Sequence, residues 1–236
     1  MYFPHGFWTG GNKSTLIYKL LAAWNFNDCT GCPSACSAIG NEELGNFDAT
    51  QSGGGDLYCI TGKLGSAAQI LSGTSTIFDT PDTSKELNLT SDKTFVFWFL
   101  FDTAAAGGAL FGKYYNSPGS NYLATCDAGG LNFTISTDGT GATASTTGIV
   151  LSGDTWYFGV IRHDVSAKTI SVQINNGTIF EATYTGNPFD YDQNLRLIES
   201  GTPGGAIDAF SIWDRILTPT EITYLYNSGI GKEYPF

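Results

Sequence analysis

Apolar residues recur along most of the chain in short runs separated by glycine, asparagine and other turn formers, a spacing that predicts strands. Residues 94–101 (TFVFWFLF) are apolar on both faces, as a strand in the middle of a sandwich must be. Residues 109–115 follow the pair Gly107 and Gly108. Residues 131–136 (LNFTIS) alternate apolar and polar, so one face of that strand is wet. Residues 156–162 and 169–174 come next. Asn175, Asn176 and Gly177 join the latter to 179–183; these residue types tolerate positive φ and predict a tight hairpin. Residues 195–198 and 206–213 complete the series. The pattern predicts an all-β fold, a two-sheet antiparallel jelly-roll sandwich. One short C-terminal helix is signalled by Thr218, Pro219 and Glu221, a capping box with proline at the first helical position. Ile222, Leu225 and Tyr226 give it an apolar face, and residues 227–229 end it.

Composition narrows the function classes. At 236 residues and 42% hydrophobic, the chain can fill the core of one large β-domain, placed at 20–236. Twenty-two Asp and Glu against eleven Lys and Arg give a net charge of -11, which repels phosphate backbones and argues against nucleic acid as a partner. No apolar run approaches the roughly 18–20 residues that span a bilayer, so no membrane insertion is expected. Thirty glycines and only 14% charged residues suit a turn-rich extracellular protein, yet residues 1–6 do not read as a secretory signal. Residues 1–27 hold Lys13 and Lys19 and no acid, so the rest of the chain carries the whole acidic excess. Tyr2, Phe3, Phe7 and Trp8 follow neither helical nor strand periodicity. Residues 1–19 therefore read as an arm, either docked on a partner through these aromatics or packed along its own sandwich.

Several segments carry a family resemblance. Residues 21–28 (LAAWNFND), 61–68 (TGKLGSAA) and 94–100 resemble the opening elements of laminin-G-like, concanavalin A-like jelly rolls. Residues 156–162 and 172–177 resemble two of their middle strands, and 206–222 (AIDAFSIWDRILTPTEI) is similar to their closing signature. The resemblance covers 20–236 and implies one structural calcium ion at a sheet edge. Asp208 would then be a side-chain ligand, with Asn27 and Asp28 supplying further oxygens, as hard donors suit calcium. Read on its own, Asp208 caps a turn. Two departures stand out: Asn27 occupies the position of the family's acid, and an excursion over 29–59 holds four cysteines.

Catalysis finds little support. The Glu-x-Asp-x-x-Glu strand motif of the fold's glycosidases is absent, and Glu42–Glu43 and Asp190–Asp192 fall in loops. His163 precedes Asp164 at a strand end, where a surface turn is expected rather than a triad base. Cys29, Cys32, Cys36 and Cys59 lack the second knuckle pair of a zinc site. They form disulfides in an oxidising exterior or stay reduced, and Cys126 reads as a small core residue. Candidate glycan contacts are Tyr114, Tyr115, Asn121, Tyr122, Tyr184 and Tyr191. The chain resembles the virion surface proteins of tailed bacteriophages, which implies a non-enzymatic decoration or tail-associated protein. Its arm would dock on a capsid or tail protein, its sandwich would face outward, and a homo-oligomer would be compatible with that role. The alternative expectation is an extracellular adhesin module that binds host-surface or mucosal glycans.

Overall fold

The computed structural model describes residues 13–28, 40–53, 57–71, 76–101, 108–114, 119–127, 129–147, 149–199 and 205–236. Fifteen strands form two antiparallel sheets among these residues. The eight-stranded sheet runs β13 (Ile179–Thr183), β12 (Thr169–Ile174), β11 (Tyr157–Asp164), β6 (Lys93–Phe101), β15 (Gly205–Trp213), β4 (Ser66–Ile70) and β3 (Leu57–Thr61). Its eighth member, β1 (Leu20–Trp24), pairs with β15 beyond the reach of β4. The seven-stranded sheet runs β10 (Ala144–Thr147), β9 (Gly130–Ile135), β8 (Tyr122–Asp127), β7 (Gly108–Lys113), β14 (Leu195–Glu199), β5 (Thr76–Thr80) and β2 (Thr50–Gly53).

The two faces of β6 explain its unbroken apolar run. Phe95, Phe97 and Phe99 point between the sheets, where Phe95 and Phe97 pack on Phe111 of β7 and Phe210 of β15. Phe111 and Phe210 close that cluster with ring centroids 4.8 Å apart. Val96 and Trp98 point the other way, into a second core with Phe158, Val160 and Trp213. That core is roofed by Ile222 and Leu225 of helix α2 (Pro219–Tyr226) and by Leu16 of a single turn, α1 (Lys13–Leu16). The expected capping box of α2 is present in full, with Thr218 and Glu221 each bonded to the other's backbone N–H. The expected hairpin also forms, with φ of 51° at Asn175 and 55° at Asn176.

The latter part of the expected arm lies on the sandwich. Leu16 is fully buried, its carbonyl accepts the Trp213 indole N–H at 2.7 Å, and Arg215 donates to the carbonyls of Thr15 and Tyr18. Tyr2, Phe3, Phe7 and Trp8 lie outside the described residues. So do Cys29, Cys32 and Cys36. Cys59 on β3 is disulfide-bonded to a partner outside the described residues, whereas Cys126 is free and buried in β8. No described helix is long and apolar enough to cross a membrane.

Candidate functional site

Two regions bring together residues that the sequence singles out, one on each sheet. On the seven-stranded sheet, a groove of about 210 Å³ opens beside Tyr114. Alternation along β8 and β9 turns Leu123 and Thr134 outward as its floor, and Ser120, Thr140 and Gly141 contribute from the loops at the strand ends. Tyr114 is 45% exposed and supplies an aromatic flank. No carboxylate lines the groove among the described residues.

The other tyrosines and the asparagine expected to grip a glycan do different work. Asn121 is fully buried; its amide donates to the Phe189 carbonyl and its oxygen accepts the Leu89 N–H. Tyr122 is buried with its hydroxyl donating to the Leu87 carbonyl at 2.9 Å, and burial pushes that phenol well above its usual range. Both support the 82–89 loop, which Asp82 caps at the N–H groups of Glu86 and Leu87 while pairing with Lys113 at 2.6 Å. Tyr184 is buried against His163, and Tyr191 is half-buried on Phe189. Tyr115 lies outside the described residues. Of the six expected contacts, Tyr114 is an exposed platform; Asn121 and Tyr122 also line the groove but bond their side-chain polar atoms internally, and the Tyr184 hydroxyl is bonded to His163.

His163 is no surface turn residue either. It is fully buried on β11, with Nε2 2.7 Å from the Tyr184 hydroxyl and Nδ1 3.1 Å from the Ser91 carbonyl. Burial pulls its pKa down to about 4, so it is a neutral core group with no access to a substrate.

The second region lies at the edge of the eight-stranded sheet, beneath the turn that joins β3 to β4. A register shift in β15 between Asp208 and Ser211, with φ of 47° at Ala209, marks the place where Asp208 leaves the regular ladder. Asp208 is fully buried. Its Oδ2 accepts the Leu64 N–H at 2.7 Å, and its Oδ1 has no partner. Burial, with Glu233 adding its charge, pushes the carboxyl up to about 7. The turn fits tightly over it: a Cβ on Gly62 would lie 2.5 Å from Asp208 Oδ2, and Gly65, at φ of 75°, sits against Asn27 Oδ1.

Asn27 and Asp28 each have a side-chain oxygen engaged in hydrogen bonds. Asn27 Oδ1 accepts the Ser66 N–H at 3.0 Å, and its amide donates to Glu233 Oε1 at 3.1 Å. Asp28 Oδ2 accepts the N–H groups of Gly40 and Asn41, both at 3.0 Å, and so bonds to the backbone within the excursion. Two residues that sequence reasoning missed stand closer to the requirement. Glu233 Oε2 and Asn25 Oδ1 are buried without hydrogen-bond partners, while the Asn25 amide donates to the Tyr234 carbonyl. Glu233 is raised by burial, with Glu43 adding. No cluster of three or more His, Cys, Asp or Glu suited to a metal occurs among the described residues; here two carboxylates are joined by amides. Unpartnered oxygens of this kind fit a hard cation.

Comparisons with known proteins agree with the fold. A laminin G family model, described as the concanavalin A-like lectin/glucanases superfamily, matches residues 72–223. Among curated proteins none matches. Similar solved structures include the binding domain of Paraclostridial Mosquitocidal Protein 1, at 15% identity and a TM-score of 0.69, covering 90% of this chain and 52% of that one. A botulinum neurotoxin type C structure, described by cell entry dependent upon interaction with two ganglioside molecules, matches at 12% identity and a TM-score of 0.68, covering 91% and 52%. The binding domain of botulinum neurotoxin DC in complex with SialylT matches at 13% identity and a TM-score of 0.65, covering 89% and 51%. The chain thus spans about half the length of each of these structures.

Proposed function

Because the chain belongs to the concanavalin A-like lectin/glucanase superfamily, we propose that it is a non-catalytic glycan-binding module with the Tyr114 groove as its carbohydrate site. Tyr114 carries the reading: an aromatic ring exposed at 45% beside a groove whose other walls include the Thr134 and Thr140 side chains. Sugars present an apolar C–H face to stack on such a ring and hydroxyls to meet such side chains. Among the described residues no carboxylate lines the groove, whereas hydrolysis of a glycosidic bond commonly uses a pair of them. The ganglioside and SialylT of the toxin structures lend support at the level of a shared fold. The partner in this reading is a host-surface or mucosal glycan and the setting is extracellular. A glycan array with the purified chain tests it. Specific hits should fall at least tenfold in Tyr114→Ala while the melting temperature holds; a blank array, or hits indifferent to Tyr114→Ala, would overturn the assignment.

A second reading rests on Ile17 and Tyr18, which are 59% and 65% exposed where residues 1–12 join the sandwich. In that reading Ile17 and Tyr18, with the aromatic residues Tyr2, Phe3, Phe7 and Trp8 that precede them in the sequence, bind a capsid or tail protein, and the module sits on a virion surface.

The same proposal includes the structural calcium ion that the family resemblance implies. Asp208, with an unpartnered buried oxygen, would hold it, and the ion would supply positive charge where the fold has buried carboxylate.

A further inference from the structure

The C-terminal tail lies beyond the stretch that the family model matches, residues 72–223, yet it closes the cradle over Asp208. Resting on the calcium reading above, we propose that Glu233 and Asn25 complete the calcium site with Asp208, so that the ion fastens residues 230–236 to the edge of the sandwich.

Three separate elements deliver the oxygens. Asp208 comes from the bulge of β15, Asn25 from the residue after β1, and Glu233 from the tail. Asp208 is fully buried and Asn25 is 6% exposed, and each keeps one oxygen without a hydrogen-bond partner, as does Glu233. A buried polar oxygen left unpaired costs on the order of 1–3 kcal/mol, more if charged, so three in one neighbourhood call for a shared partner. That they share a neighbourhood follows from the bonds between their neighbours. Asn27 links Glu233 to Ser66, Leu64 links the same turn to Asp208, and Asn25 holds the carbonyl of Tyr234, next to Glu233.

The chemistry of the set selects the ion. Two carboxylates and an amide oxygen are hard donors with a charge of minus two. They come from loops and a bulge rather than a rigid octahedral frame, which favours Ca²⁺ over Mg²⁺. Nearby lysines do not take the ion's place: Lys63 Nζ lies 4.8 Å from the centre of the Trp98 ring and Lys232 Nζ 4.6 Å from that of Tyr224. Asn27 and Asp28 have their own hydrogen bonds, so Asn27 positions Glu233 and Asp28 stands outside the set.

The experiment titrates Ca²⁺ into the EGTA-stripped full chain by calorimetry, and follows hydrogen exchange of peptides within 230–236. The expected result is one saturable site with exchange of the tail slowed on binding. Glu233→Gln should weaken binding at least tenfold and abolish the slowing, whereas Asp28→Asn should change affinity less than twofold. Asp208→Asn should lose binding. If the folded wild-type chain binds no Ca²⁺, both the ion and its tail ligand are overturned. If Glu233→Gln binds like wild type while Asp208→Asn does not, the ion stands and the tail ligand falls. Binding that leaves the tail's exchange unchanged also overturns the fastening role.

Discussion

His163 shows how a residue type associated with chemistry can be absorbed by a fold. The ring lies between the Tyr184 hydroxyl and the Ser91 carbonyl, with Asp92, Lys93 and Lys168 as the charges around it, and burial dominates its titration. An imidazole in the unfolded chain titrates near 6.5, and here it titrates at about 4. Between those values the unfolded chain binds a proton that the folded chain refuses. Its contribution is therefore whole above pH 6.5 and is lost as pH falls towards 4, by an amount on the order of 3 kcal/mol. Asp208, raised to about 7, acts in the opposite sense across the same window, because its protonated form is favoured in the fold. The two are separated by difference. In urea unfolding at pH 7 and pH 4.5, His163→Gln should lose less stability on acidification than wild type; equal losses would exclude His163 as the sensor. Residue identity alone could not have told this histidine from a surface one. Nor could it sort Tyr114 from Tyr122 and Tyr184, since an exposed ring and a buried ring with a bonded hydroxyl are the same letter in the chain.

At the scale of elements the sequence was far more legible, because periodicity and caps are local. Residues 169–174 and 179–183 and the Asn-Asn-Gly turn between them stand in the structure as the pattern predicts, and so does the capping box of α2. The short strands β2 and β10 carry too few apolar residues to announce themselves, and they form because a neighbouring strand offers an unpaired edge. The cradle over Asp208 was half legible: Asp208 lies in a recognisable signature, whereas Glu233 and Asn25 reach it from positions with no shared pattern, 208 residues apart in sequence number. Helix α2 allows a quantitative test. Glu221 caps the helix, and it also binds Arg215 at 2.7 Å, which holds it ionised down to about 2 and ties residues 15–18 to the same point. Thr218→Ala should cost about 1 kcal/mol in denaturant unfolding, as an ordinary lost cap does. Glu221→Ala should cost more and should also raise the hydrogen exchange of residues 15–20. Equal costs with no change in exchange would mean that the Arg215 tie contributes nothing.

For the molecule as a whole, the first and last described segments meet on the eight-stranded sheet. Leu16 and Phe236 both pack on Trp213, the last residue of β15, while the groove beside Tyr114 opens on the other sheet. This division lets attachment and recognition be removed separately. A cut after residue 12 leaves Leu16, its bond to Trp213 and the Arg215 contacts in place, so the sandwich should keep its melting temperature to within a few degrees. A cut that also removed residues 13–19 would take Leu16 out of the second core, and the loss of one buried leucine costs roughly 2–5 kcal/mol. The shorter deletion is therefore the informative one. If the module is a particle-bound protein, the chain lacking residues 1–12 should fail to bind virions depleted of it while its glycan-array profile matches that of the full chain. If recognition of glycans is its whole task, the deletion should leave both measurements where they were. A truncated chain that loses its glycan profile while remaining folded would contradict the separation itself, and with it the placement of the sugar site beside Tyr114.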